Sequence, residues 1–303
     1  MSMRGLIDRG RRTGRGNGRY LLLGSASMDL PHQSGESLAG RIAYLELAPI
    51  DLLEIDPGRT DQLGVRGGFP DSLLAATEDD SARWRRDFIR TYLERDIPQF
   101  GPRIAAEILR RFWTMLAHQQ SGLLNAAFAR ALGVDAKTVA NYLDLLVDLL
   151  LVRRLQSRHG NQGKRLVKAP RIFIRDSGLV HALPGLRDQE AILGHPVAGA
   201  SWEGFVIESL IGAAPDGTVP AFYRTAAGAE IDLLLELPNG KVWVIEVKRN
   251  LTPKIEKGFY TACEDLKPDR KFVVYPGAEN FPLARGVEVV GARGLAQELA
   301  GVR

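Results

Sequence analysis

Cysteine is nearly absent: Cys263 is the only one in 303 residues, which excludes an intramolecular disulfide and fits a reducing, cytoplasmic compartment. Lacking a cysteine partner for a metal, Cys263 reads as a packed thiol. Long apolar runs are missing too. A membrane span needs about 20 consecutive apolar residues, and the densest stretch here, Tyr142–Val152, carries Asp144 and Asp148. The N-terminus, Met1–Gly16, is basic but has no apolar run of the kind a signal peptide needs. No internal repeat or low-complexity segment stands out. Neither sign of charge dominates. A net charge of +4, from 40 Lys+Arg against 36 Asp+Glu, permits nucleic acid as a partner without demanding it. These absences leave a cytoplasmic protein with no membrane partner, and 303 residues are enough for two or three domains with real cores.

Arginine is clustered, at Arg4, Arg9, Arg11, Arg12, Arg15 and Arg19, and again at Arg83, Arg85, Arg86 and Arg90. Such clusters are either solvated basic faces or nucleic-acid contacts. Tyr20–Leu23 is a strand-then-turn signal, and Ile42–Leu47 is a second apolar segment, ended by Pro49. Trp84–Asp96 has helical amphipathic spacing, as do Ile104, Ile108, Phe112 and Leu116. A short helix over Ala126–Leu132, a Gly133-Val134 turn and a helix capped by Asp135 make a helix-turn-helix pattern. Leu150–Leu155 and Arg165–Lys168 are expected as the strands of a wing. The helix pair is either a DNA contact or a packing unit. From residue 170 the texture becomes α/β: a strand at Arg171–Arg175, a helix at Gly199–Ile211, then alternating strands and helices to the C-terminus.

The chemistry concentrates in a hairpin. Leu233–Leu237 and Val242–Ile245 flank Pro238-Asn239-Gly240, and Asn-Gly is a strong hairpin-turn signal. Folding about it brings Asp232 opposite roughly Val247 and beside Glu246. Alternation places Val242, Val244, Glu246 and Lys248 on one face, with Trp243, Ile245 and Val247 on the other. A strand apolar on both faces is central and covered, yet this one ends in a carboxylate and an ammonium. Burying them unpaired is costly. Two arrangements satisfy them. One is a salt bridge between Lys248 and Asp232 or Glu246. The other is a divalent cation, Mg²⁺ or Mn²⁺, held by Asp232 and Glu246 with Lys248 serving an attacking water.

The order of these parts, a helix with Glu203, then Gly228-Ala229-Glu230-Ile231-Asp232, then Glu246-Val247-Lys248, resembles the PD-(D/E)XK nuclease superfamily. The resemblance implies that Asp232 and Glu246 bind the metal, with the Val247 carbonyl as a further ligand. It gives Lys248 the water and lets Glu203 complete the catalytic set. Glu208 lies five residues beyond Glu203, about 140° around the helix, so both cannot face one ion. Residues 19–55 resemble the second half of an AAA-type P-loop ATPase module, with a sensor residue near Ser25 or Ser27, then Gly40-Arg41 and Leu47-Ala48-Pro49. With Gly67–Pro70 and Arg171–Leu179, nearly the whole chain resembles a prokaryotic group of AAA-type ATPases carrying a C-terminal domain of unknown function.

That resemblance implies an α/β multidomain chain. Residues 1–60 would be a remnant of the ATPase core with a partial P-loop sheet, 61–168 a helical lid and winged-helix-like region, and 169–303 the nuclease-like domain. One part is missing. No G-x-x-x-x-G-K-[ST] loop exists; Gly160–Arg165 has the wrong spacing and no hydroxyl after Lys164. The chain reads as starting inside the ATPase module, with Ser25 and Arg41 as vestigial nucleotide sensors. ATP hydrolysis by this chain alone is not expected. Residues 1–60 are expected to be loosely packed, held in a homo-oligomer, or completed by a chain supplying the missing half. The expected function is metal-dependent DNA processing within an ATP-binding family, or else a non-catalytic DNA-binding or regulatory remnant of it.

Overall fold

The computed structural model describes residues 3–15, 18–23, 38, 40–43, 45–100, 105–123, 127–158 and 166–302. The first half is helical: α1 (Met3–Arg12), α2 (Thr60–Arg66), α3 (Pro70–Leu73), and α4 (Glu78–Thr91), which passes through a π segment into α5 (Ile97–Phe100). Next come α6 (Ala106–His118), α7 (Ala127–Leu132) and α8 (Ala136–Asp148). Local chemistry starts α8 at Asp135 as expected and starts α4 at Thr77, well before the expected Trp84. The Thr77 hydroxyl accepts the Asp80 N–H, the Asp135 carboxylate accepts that of Thr138, and three acids in the first turn of α4 oppose its dipole. Phe112, Trp113 and Leu116 of α6 pack with Phe128 and with Val139, Leu143 and Leu146 of α8. The helix-turn-helix is therefore formed, with Gly133 taking the left-handed turn at φ 68°. The exposed face of α8 presents Lys137, Asn141, Asp144 and Asp148, one cation against two carboxylates.

The wing differs from expectation. Strand β1 (Val152–Leu155) pairs antiparallel with β2 (Arg171–Ile174), Val152 against Ile174 and Leu155 against Arg171, and not with residues 166–168, the described part of the expected second strand. The reason is burial. Every residue of β2 is buried, Ile172 and Ile174 in the helical core and Phe173 in the next one, whereas Leu166 only bridges to Thr225.

Helices α9 (Ser177–Ala182), α10 (Gln189–Leu193) and α11 (Ala198–Ala213) lead into a six-stranded mixed sheet. Its elements are β3 (Val219–Arg224), β4 (Glu230–Glu236), β5 (Val242–Val247), α12 (Lys257–Leu266), β6 (Arg270–Tyr275), β7 (Phe281–Leu283), β8 (Val287–Gly291) and α13 (Ala292–Ala300). The strand order is β3-β4-β5-β6-β8-β7. β3, β4 and β5 form an antiparallel meander, β5, β6 and β8 run parallel, and β7 closes the edge antiparallel. The parallel step from β5 to β6 uses α12 as its crossover. Helices α11 and α13 cover one face, Val206, Ile207, Leu210, Leu295 and Leu299 meeting Leu233, Leu235 and Ile245. On the other face Phe259, Ala262 and the packed thiol of Cys263 meet Leu234, Val244 and Val273. The edge strand β7 was not anticipated from sequence; Pro282 at its centre suits an edge and weakens the strand signal.

The two segments expected as strands of an ATPase sheet, 20–23 and 42–47, form no strand where they are described. Leu45 is 89% and Leu47 97% exposed. A strand needs a neighbour to satisfy its N–H and C=O groups, and no described segment pairs with these. Ser25 lies outside the described residues, and the Arg41 guanidinium donates to Asp8 Oδ1 at 2.8 Å. No helix among the described residues is long and apolar enough to cross a membrane.

Charged groups buried at a joint tie α2–α4 to α9. Arg85 is fully buried and its guanidinium donates to the carbonyls of Ser81, Val65, Gly178 and Arg187. Asp176 caps α9 and also accepts the Gly68 N–H at 2.8 Å. Gly178 has to be glycine, because a Cβ there would stand 2.2 Å from the Arg66 carbonyl oxygen. His181 bridges the Val65 carbonyl and Ser201 Oγ (2.7 Å), and burial pushes its pKa down to about 4, so it stays neutral at neutral pH. Arg85→Met removes the guanidinium donor shared by carbonyls from separate elements. It should lower folding stability by about 3 kcal/mol in urea titrations, against about 0.5 kcal/mol or less for the exposed Arg83→Ala.

Candidate functional site

The site forms where the β4–β5 hairpin meets the start of α11. The ladder runs from Glu236 opposite Val242 to Leu233 opposite Ile245, so continuing it sets Asp232 level with Glu246, one residue from the expected Val247. The difference is small because the Pro238-Asn239-Gly240 turn closes as expected, with Gly240 at φ 81° and Leu237 N–H on the Lys241 carbonyl. Asp232 still reaches Val247: its Oδ2 accepts the Val247 N–H at 2.9 Å. Period-two alternation holds, with Trp243, Ile245 and Val247 in one core and Val244 in the other. Glu246 is buried at that strand's end.

Lys248 forms an ion pair with Glu246, Nζ to Oε1, at 2.8 Å. The other carboxylate oxygen, Oε2, is buried without a hydrogen-bond partner among the described residues. Glu203 stands at the second turn of α11 and Glu208 points elsewhere, to Arg153 and Arg175. Glu203 is thus the helix carboxylate beside Asp232.

A residue that the sequence reading passed over connects them. Arg171 opens β2, and its side chain is 6% exposed. One end of its guanidinium pairs with Glu203, NH1 reaches Asp232 Oδ1 at 3.3 Å, and Nε donates to the Ser121 carbonyl at 2.9 Å. Ser121 takes a left-handed φ of 64° to present that carbonyl. The signal was present in the sequence: an arginine opening an apolar strand destined for burial on both faces must find acids or main-chain carbonyls.

Glu203, Asp232 and Glu246 thus share two cations, Arg171 and Lys248. Burial first, and the neighbouring acid second, raise two of these carboxylates, Glu203 and Glu246. Burial pushes Glu203 up to about 7, Asp232 adds to the rise, and Arg171 and Ser121 oppose it. Burial likewise pushes Glu246 up to about 8, Asp232 again adding and Lys248 opposing. Burial works against the charge on Lys248, but Glu246 and Asp232 outweigh it and hold the ammonium above its usual pKa.

Among the described residues no three His, Cys, Asp or Glu side chains are grouped to hold a metal ion. Two carboxylates do fit one. Asp232 and Glu246 offer hard oxygens at adjacent strand positions, one of them the unpartnered Glu246 Oε2, and one further cation would balance the excess of acid.

Both raised carboxyl groups bind a proton more tightly in the folded chain than their usual value of 4.5 allows in the unfolded one. Folding stability is therefore greatest below about pH 4.5 as far as these groups act, and declines as pH rises through about 7 to 8. Urea midpoints should fall between pH 5 and pH 8, and Glu246→Gln should flatten that fall; an unchanged slope would contradict this assignment.

Comparisons with known proteins match two segments of the chain. Residues 59–190 match the family described as Domain of unknown function (DUF8612), and residues 198–295 match Domain of unknown function (DUF4143). The chain is similar to Uncharacterized protein Rv2008c of Mycobacterium tuberculosis and Uncharacterized protein Mb2031c of Mycobacterium bovis. Each is 45% identical over 276 residues, covering 90% of this chain and 62% of the relative. The chain therefore spans about three-fifths of the length of the relatives it matches. Protein VC1899 of Vibrio cholerae, known from its crystal structure, aligns over 74% of this chain and 55% of its own, at 14% identity. Its TM-score of 0.25 is too low to carry an argument about fold. Arg171 falls in the first matched segment, and Glu203, Asp232, Glu246 and Lys248 fall in the second.

Proposed function

We propose that residues 198–303 form a PD-(D/E)XK-like, metal-dependent nuclease domain acting on DNA, within a protein of the AAA-type ATP-binding group. The observation that carries this reading is the buried Glu246 carboxylate, with one oxygen on Lys248 and the other unpartnered, beside Asp232 at the end of a central strand. Asp232 and Glu246 would hold Mg²⁺ or Mn²⁺, which when bound supplies Lewis-acid charge at a phosphoryl oxygen. Lys248, about a quarter exposed on a flexible stem, reaches solvent from the Glu246 carboxylate and can orient a water or offset phosphate charge. The exposed arginines of α1 and α4, including Arg9, Arg11, Arg83 and Arg86, offer phosphate contacts.

A second reading rests on Arg171 and Lys248 themselves. They already pair with all three acids, so the cluster also makes sense as a structural network in a non-catalytic DNA-binding or regulatory protein. The sequence holds no phosphate loop, and neither reading gives this chain ATP hydrolysis of its own.

Supercoiled and branched DNA incubated with the protein and Mg²⁺ or Mn²⁺ should be nicked. Asp232→Ala and Glu246→Ala should abolish the cut, and Lys248→Met should slow it by about a hundredfold. The structural reading instead expects no cleavage with either ion, and salt-dependent DNA binding that Asp232→Ala leaves unaltered.

A further inference from the structure

We propose that Arg171 is a positioning residue of the carboxylate centre: it takes Glu203 as its own counter-ion and limits the centre to one divalent cation, held by Asp232 and Glu246. This rests on the metal-dependent reading above and adds to it a stoichiometry and a role for Glu203.

A guanidinium is always charged and presents its donors in a rigid fork. Arg171 uses that fork on three groups at once: Glu203, Asp232 Oδ1 at 3.3 Å, and the Ser121 carbonyl at 2.9 Å. Phe173 and Phe222 stand 5.4 and 6.0 Å from its central carbon, packing it on a further side. The space between Glu203 and Asp232 is therefore filled by a fixed, buried positive charge. A metal ion there would face that charge at close range with little water to screen it. Glu203 is also hydrogen-bonded by Ser121, so its carboxylate is aimed at the arginine and not at Glu246.

The other side of Asp232 differs. Glu246 brings an unpartnered oxygen, and its cation, Lys248, sits on a flexible stem and can move aside. One ion fits there and none beside Arg171. Arg171 belongs to β2, so the register of β2 against β1 helps set what the hairpin site can bind.

Equilibrium dialysis of the full chain against Mn²⁺, with the free ion read by electron paramagnetic resonance, tests this without any cleavage assay. The wild type should bind one Mn²⁺ per chain, and Glu203→Gln should leave its Kd within about threefold, since no ligand is lost. Arg171→Met should take up a second ion, and adding Glu203→Gln to that variant should remove it. A loss of about tenfold or more in the single Glu203→Gln variant would make Glu203 a ligand and overturn the proposal. So would two ions in the wild type. No Mn²⁺ bound by either wild type or Arg171→Met would overturn the metal reading and this inference together. If Arg171→Met does not fold, the Glu203→Gln result decides alone.

Discussion

The guanidinium of Arg171 is buried where two sheets and a helix converge, and burying it requires acceptors from more than one element. It obtains them from α11 and β4, while its own strand pairs with β1 beside the helical core. That single demand locks together parts which lie far apart in sequence: the turn after α6, the strand β2, the helix bearing Glu203 and the hairpin bearing Asp232. A buried ion pair adds little net stability over apolar packing, but removing one partner is severe, so such a contact fixes geometry more than it adds energy.

The same constraint shapes the electrostatics. Three acids gathered around two cations leave an excess of negative charge that burial prevents water from dispersing. Glu203 and Glu246 are raised mainly by burial, and the neighbouring Asp232 adds to the rise. An excess of this kind can be relieved by a proton or by a cation. The joint made by Arg85, Asp176 and His181 solves the opposite problem. There a buried cation is spread over main-chain carbonyls, and the histidine is kept neutral.

Much of the site was legible before folding. The Asn239-Gly240 turn and the alternation of Val242–Val247 were enough to make Asp232 and Glu246 neighbours, because strand geometry is local and a hairpin fixes register. The helix start at Asp135 was equally local, set by one side chain and one N–H, whereas α4 begins at Thr77, ahead of the Trp84 that its apolar spacing marked. Less could be read where a segment's fate depends on a distant partner. Residues 20–23 and 42–47 have strand composition but no described neighbour, and apolar content alone does not make a strand. β1 chose β2 over the nearer residues 166–168 because β2 could be buried on both faces.

The sequence alone determined the carboxylate pair, the ammonium two residues beyond Glu246, and the helix-turn-helix, since each depends on spacing within a few residues. Tertiary structure decided which glutamate of α11 belongs to the site, giving Glu203 to Arg171 and Glu208 to Arg153 and Arg175. It also brought Arg171 to the centre from 61 residues before Asp232, a distance over which only the burial of β2 could carry it.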